Sequence, residues 1–125
     1  MVTLKRNFGD LGEKLAVKYL TNKSYQILDT NFQNALGRRL GEIDIIARDR
    51  EELVFVEVKT REMKKYAETL PEENITPMKL RRMAKIAEAY IRLNHLDHLD
   101  YRFDAISVWL DYESKKAKIK HIKSL

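Results

Sequence analysis

A cysteine-free chain of 125 residues is long enough to bury one core, and it excludes disulfide frameworks, zinc-thiolate sites and cysteine nucleophiles. Its 24 Lys plus Arg against 19 Asp plus Glu leave a net charge of +5, and no run approaches the roughly 18 apolar residues of a membrane span. The expectation is one domain over 1–125 in a reducing cytoplasm, with "MVTLKRNFGD" lacking the apolar core of a signal peptide.

"FGDLGEKLAVKYLTNK" places Phe8, Leu11, Leu15, Ala16 and Tyr19 at helical spacing, which predicts a first helix over about 8–22. Gly9, Gly12 and Ala16 thin one side of it, so the helix can approach a sheet closely. "YQILDTNFQ" reads as a strand. "NALGRRLG" reads as a loop, and "EIDIIARD" and "LVFVEVKT" read as a strand pair. Residues 61–74 are polar with weak periodicity and read as a mobile loop. Thr76 followed by Pro77 is a helix start, an N-cap hydroxyl and then a residue preset for the first turn. From there Leu80, Met83, Ala84, Ala87, Tyr90 and Ile91 form an apolar stripe opposite Arg81, Lys85, Glu88 and Arg92. "YRFDAISVWLD" reads as a central strand, apolar on both faces, and the lysine-studded "KAKIKHI" as an edge. The order is α-β-β-β-α-β-β, an α/β pattern with about five strands.

Basic residues cluster in two places. Residues 76–92 hold Lys79, Arg81, Arg82, Lys85 and Arg92 against Glu88, and the tail from Ser114 holds Lys115, Lys116, Lys118, Lys120 and Lys123 with no acid. Such clusters suit a polyanion such as nucleic acid; a solvated helix face and a lysine-protected edge strand suit them equally. "HLDHLD" at 95–100 has no cysteine partners and reads as a polar connection, and Trp109 and the tyrosines read as core or edge residues.

The strand pair carries acids and a lysine among Ile, Val and Phe residues. Side chains alternate faces along a strand, so Glu42 and Asp44 share one face with Ile43 and Ile45 behind. On the second strand Phe55, Glu57 and Lys59 share a face, with Val54, Val56 and Val58 behind. An even-numbered hairpin loop at Arg50–Glu51 makes opposed residues sum to 101, pairing Asp44 with Glu57 and Glu42 with Lys59. An odd loop would stagger the pair diagonally. Two carboxylates opposed across a strand pair repel, and a hard divalent cation such as Mg²⁺ or Mn²⁺ between them reverses the sign. Lys59 completes a set suited to phosphodiester hydrolysis: acids for the ion, the ion to acidify water, and a cation beside the phosphate. Glu13 on the first helix lies partly on its apolar side and is a candidate further member; as a solvated helix residue it needs no explanation.

Asp44 followed by Glu57-Val58-Lys59 resembles the PD-(D/E)xK nuclease signature, with Ile43 where that motif carries proline. "GDLGEKLAVKYL", Asn31-Phe32, "GEIDIIARD", "VFVEVKTR", "ITPMKLRRM" and "YRFDAISV" together resemble the YraN-like family of uncharacterised bacterial proteins. The match is weakest at 62–74 and 94–99. That family is similar in fold to restriction endonucleases and archaeal Holliday-junction resolvases, which implies a restriction-endonuclease-like mixed sheet flanked by helices. The resemblance implies Asp44 and Glu57 as metal ligands with the Val58 carbonyl, Lys59 as catalytic lysine and Glu13 as an acid supplied by the first helix. It implies phosphate contacts from Lys79, Arg81 and Arg82, with Lys85 in the same basic segment. It also implies DNA rather than RNA as partner and, through the resolvases, a homodimer. Arg102 and Asp104 match the family's R-F-D pattern, with bracing of an arginine favoured over a part in the site. The rivals are a non-catalytic nucleic-acid-binding module on the same fold, such as an assembly subunit, and a protein-interaction scaffold.

Overall fold

The computed structural model describes residues 4–33, 41–63 and 75–125. The elements are α1 (Leu4–Asn22), β1 (Gln26–Phe32), β2 (Ile43–Asp49), β3 (Glu52–Glu62), α2 (Pro77–Leu93), β4 (Asp100–Asp111) and β5 (Lys116–Ile122). This is the α-β-β-β-α-β-β order read from the sequence. The strands lie side by side in chain order. Neighbours are antiparallel except β3 and β4, which run parallel because α2 carries the chain back between them. Most of the expected loops at 34–41 and 61–74 lies outside the described residues. Arg61 and Glu62 are an exception: they continue β3, which runs longer than its apolar residues suggest because β4 pairs with it through Glu62↔Leu110.

Each helix covers one face. Ala16 and Leu20 of α1 pack on Ile45, Ala47, Val54, Val56, Ile106 and Val108. Ile86, Ala87 and Tyr90 of α2 pack on Ile46, Leu53 and Phe55. Thr76 caps α2 by accepting the Lys79 amide at 3.1 Å, and Pro77 opens the first turn. Trp109, Tyr25 and Tyr90 are buried, and lysines line the exposed edge strand β5.

Gly12 sets how closely α1 lies on the sheet. A β-carbon there would stand 2.8 Å from Thr60 Cβ, inside van der Waals contact, so only glycine lets the helix settle onto β3. Gly9 has open space around it instead.

The β2–β3 register follows the sum of 101, from Asp49↔Glu52 at the turn to Ile45↔Val56. Arg50 opens the two-residue turn with φ 58, a left-handed setting. The ordinary alternation of faces fails further along β2. Ile45 packs on the α1 side while Ile43, two residues before it, packs on the α2 side, contrary to the expectation that they share a face. The ladder explains why. Continued, it would deliver the Val58 amide to Ile43, but that amide donates to Asp44 Oδ2 at 2.7 Å. The side chain of Asp44 replaces the backbone, and the strand rotates there.

Candidate functional site

The rotation brings Asp44 to a point that residues from both faces of the sheet can reach. Glu13, held low over the sheet by Gly12, arrives from α1. Glu42 arrives from the segment just ahead of β2, where Gly41 takes φ 84. One carboxylate oxygen from each of Glu13, Glu42 and Asp44 lies within 4.8 Å of the other two. Asn31 on β1, itself at φ 54, joins them. With its amide nitrogen turned to the acids, it donates to Glu13 Oε1 at 3.0 Å and Glu42 Oε1 at 3.1 Å. Gln33 reaches Glu42 Oε2 at 3.4 Å.

The expected pairing of Glu42 with Lys59 does not form. Glu42 precedes β2 and is exposed, so strand register does not govern it. Lys59 lies 3.3 Å from Glu57 Oε1 on its own strand. Lys79 of α2 reaches the same oxygen at 2.6 Å. Glu57 is therefore a shared anchor for two ammonium groups, and it lies outside the trio of clustered acids. Its charge still acts on Asp44.

The electrostatics follow from this company. Burial first, then the negative charge of Glu57, push the Asp44 carboxyl up to about 8, against the lowering hydrogen bond from Val58. Burial raises Glu13 as well, with Asn31 opposing. Burial and the neighbouring Lys79 lower the pKa of Lys59, although Glu57 opposes them. Burial works against the charge on Lys79 too, but its hydrogen bond to Glu57 outweighs it and the pKa is raised. Acids crowd one side of the site and lysines the other.

A strand residue sends its N–H and C=O to the same edge, so the Val58 carbonyl leaves β3 on the side where its amide meets Asp44. Carboxylate and carbonyl oxygens without thiolate or imidazole are the donor set of a hard divalent cation. Arg81, Arg82 and Lys85 are exposed along α2, within two turns beyond Lys79. The structure thus gathers Glu13, Asp44, Glu57, Lys59 and Lys79 at one end of the β2–β3 pair and leaves the other α2 cations facing outward. Sequence reasoning named Lys79 for phosphate contact but missed its pairing with Glu57, and it missed Asn31 as a bridge and Glu42 as a member of the acid cluster. Asn31 carried a signal in the Asn-Phe pair; the Lys79–Glu57 contact carried none.

Asp104 lies apart from this cluster, fully buried, and braces Arg102 through Nε at 3.0 Å. It also bonds His121 Nε2 at 2.7 Å and accepts the Ser124 amide at 3.0 Å. Burial alone would raise its pKa, but the His121 and Arg102 bonds hold it below the usual carboxylate range.

Among the described residues no helix is long and apolar enough to cross a membrane. The model of Uncharacterised protein family UPF0102 matches residues 12–108. A UPF0102 protein of Clostridium beijerinckii is 42% identical over 123 residues, covering 98% of this chain and 95% of that protein. One from Caldicellulosiruptor bescii is 42% identical over 120 residues, with 94% and 95% covered, and one from Caldanaerobacter subterraneus 40% over 119, with 94% and 93%. Both the clustered acids and the lysines fall within the matched span, and the chain belongs to the UPF0102 family, the YraN-like group that its motifs resemble.

Proposed function

We propose that the protein binds nucleic acid and hydrolyses phosphodiesters with Mg²⁺ or Mn²⁺, on a fold of the restriction-endonuclease kind. The observation that carries this reading is the convergence of Glu13, Glu42 and Asp44 within 4.8 Å, next to Glu57 with its two lysines. Carboxylates gathered at such range repel, and a sequence selected for stability alone would disperse them.

Glu13, Glu42 and Asp44 would hold the ion, with the Val58 carbonyl on the same side and Glu57 adjoining. The ion supplies Lewis acidity, making water a better nucleophile and drawing charge off the phosphate. Lys59 stands at the border between acids and open surface. Its half-buried ammonium is placed to orient the attacking water and to balance charge that builds on the phosphate. Lys79 adds a second positive charge there, and Glu57 fixes both amines in place. Asn31 keeps Glu13 and Glu42 in register with each other. Arg81, Arg82 and Lys85 would grip the strand on either side of the reacting bond. DNA is the proposed polymer.

The test is a panel of branched, nicked and single-stranded DNA and RNA, each incubated with and without Mn²⁺ beside Asp44→Ala. Metal-dependent cleavage by the wild type and none by the variant is the expected result. Equal cleavage by both would assign the activity elsewhere. Salt-sensitive binding without any Mn²⁺ uptake would favour a non-catalytic nucleic-acid module.

A further inference from the structure

At the other end of the β2–β3 hairpin, about 17 Å along β2 from Asp44, lies a cavity of about 330 Å³ between the end of α1, the hairpin turn and the end of β5. Lys23, Arg50 and Lys123 stand on its wall. Among the described residues none of the three is in an ion pair. The wall's one acid, Asp49, is drawn to Arg102 at 3.5 Å. Three like charges around one hollow repel each other, as the acids do at the far end, and an anion relieves them.

The floor is built from hydrogen-bonded side chains. His121 Nε2 lies 2.7 Å from Asp104 Oδ2, and His121 Nδ1 meets the Tyr19 hydroxyl at 3.2 Å. Both imidazole nitrogens are thereby occupied. Tyr25 is 7% exposed and lines the same cavity. Its hydroxyl accepts from Arg102 Nη2 at 2.8 Å, which leaves its own proton to donate, and among the described residues no acceptor takes it. Lys23 is steadied with its Nζ 5.9 Å from the centre of the Tyr19 ring. Arg50 holds a left-handed backbone at a turn position where glycine or asparagine would sit with less strain.

We propose that this cavity is a phosphate-binding site, with Lys23, Arg50 and Lys123 neutralising the anion and the Tyr25 hydroxyl donating to one of its oxygens. A compact, multiply charged oxyanion suits three cations and a neutral donor better than a single carboxylate does. The phosphate belongs either to a small free molecule or to a nucleic-acid strand, at its end or along its backbone. The inference does not depend on the nuclease reading.

The test is titration of the folded protein at low salt with pyrophosphate, a 5′-phosphorylated tetranucleotide and the same tetranucleotide with a 5′-hydroxyl, followed by amide NMR and calorimetry. Shifts at Lys23, Tyr25, Arg50 and Lys123 are expected, with binding weakened about tenfold or more in Lys23→Ala/Arg50→Gly/Lys123→Ala. Pyrophosphate alone binding identifies a free ligand. Preference for the phosphorylated strand identifies a terminal phosphate, and equal binding of the two strands a backbone phosphate; each of these supports the site. Asp44→Ala should bind like the wild type, so loss of cleavage and loss of this site are separable. Thermal denaturation reports whether the triple variant folds, and Arg50→Gly by itself should keep or raise the melting temperature. The proposal falls if none of the three probes shifts these residues, or if a folded triple variant binds as tightly as the wild type.

Discussion

Asp104 is fully buried and Asp44 half-buried, and the two keep opposite company. Asp104 is surrounded by donors: Arg102, His121 and the Ser124 amide all reach it, and its pKa falls. Asp44 has one amide donor and three acids around it, and its pKa rises to about 8. Buried charge that is matched serves the fold. Half-buried charge left facing its own sign is the feature on which the proposed ion site rests.

Asp44→Ala probes that contrast most strongly. It should reduce metal-dependent cleavage by about a thousandfold while leaving the unfolding midpoint unchanged or higher, as read from turnover assays beside urea titrations. A marked loss of stability would mean that Asp44 is structural like its counterpart. Asp104→Ala should do the reverse, costing about 3–5 kcal/mol because Arg102 and His121 lose the carboxylate between them. Mn²⁺ affinity, measured by calorimetry below the melting temperature, should stay close to that of the wild type. Gly12→Val sharpens the comparison by moving only one wall. Overpacking against Thr60 should cost about 1–3 kcal/mol and weaken Mn²⁺ binding by displacing Glu13.

The smallest effect is the pH dependence of the ion-free protein, and here the two aspartates have opposite signs. Asp44 has a folded pKa above its unfolded value, so its contribution to stability is full below about pH 4 and is lost as pH rises through about 8. Asp104 has a depressed pKa, so its contribution is present at neutral pH and is lost as pH falls through the acid range. Between pH 5.5 and 8.5 the melting temperature should drop by a few degrees in the wild type, stay flat in Asp44→Asn, and recover on addition of Mn²⁺. A drop that persists in Asp44→Asn would place the titrating group elsewhere.

Much of this could be read from residue order. The element sequence, the Thr76–Pro77 helix start and the 101 register followed from local rules, since hairpins and caps are decided by neighbours in the chain. Hidden from that reading was the break in alternation at Asp44, because it depends on a side chain taking a backbone amide 14 residues away. Glu42 was paired with Lys59 for the same reason: register arithmetic was carried past the end of the strand. The Lys79–Glu57 contact and the Asn31 bridge join elements distant in sequence, and no periodicity encodes them. The close approach at Gly12 was legible because a missing side chain has few other uses on a helix.

The parallel pairing of β3 with β4 has a consequence for the order in which the molecule assembles. Every partner in that ladder is separated by the same 48 residues (100 − 52), whereas the β2–β3 and β4–β5 hairpins close locally. Loop-closure entropy makes the distant pair slow to form. Lys79 rides on the connecting helix, so the second ammonium partner of Glu57 is delivered only when that long closure is complete. During refolding, β-hairpin signals should therefore precede recovery of any cleavage, and substitutions that loosen Ile86 or Tyr90 from the sheet should delay the second event more than the first.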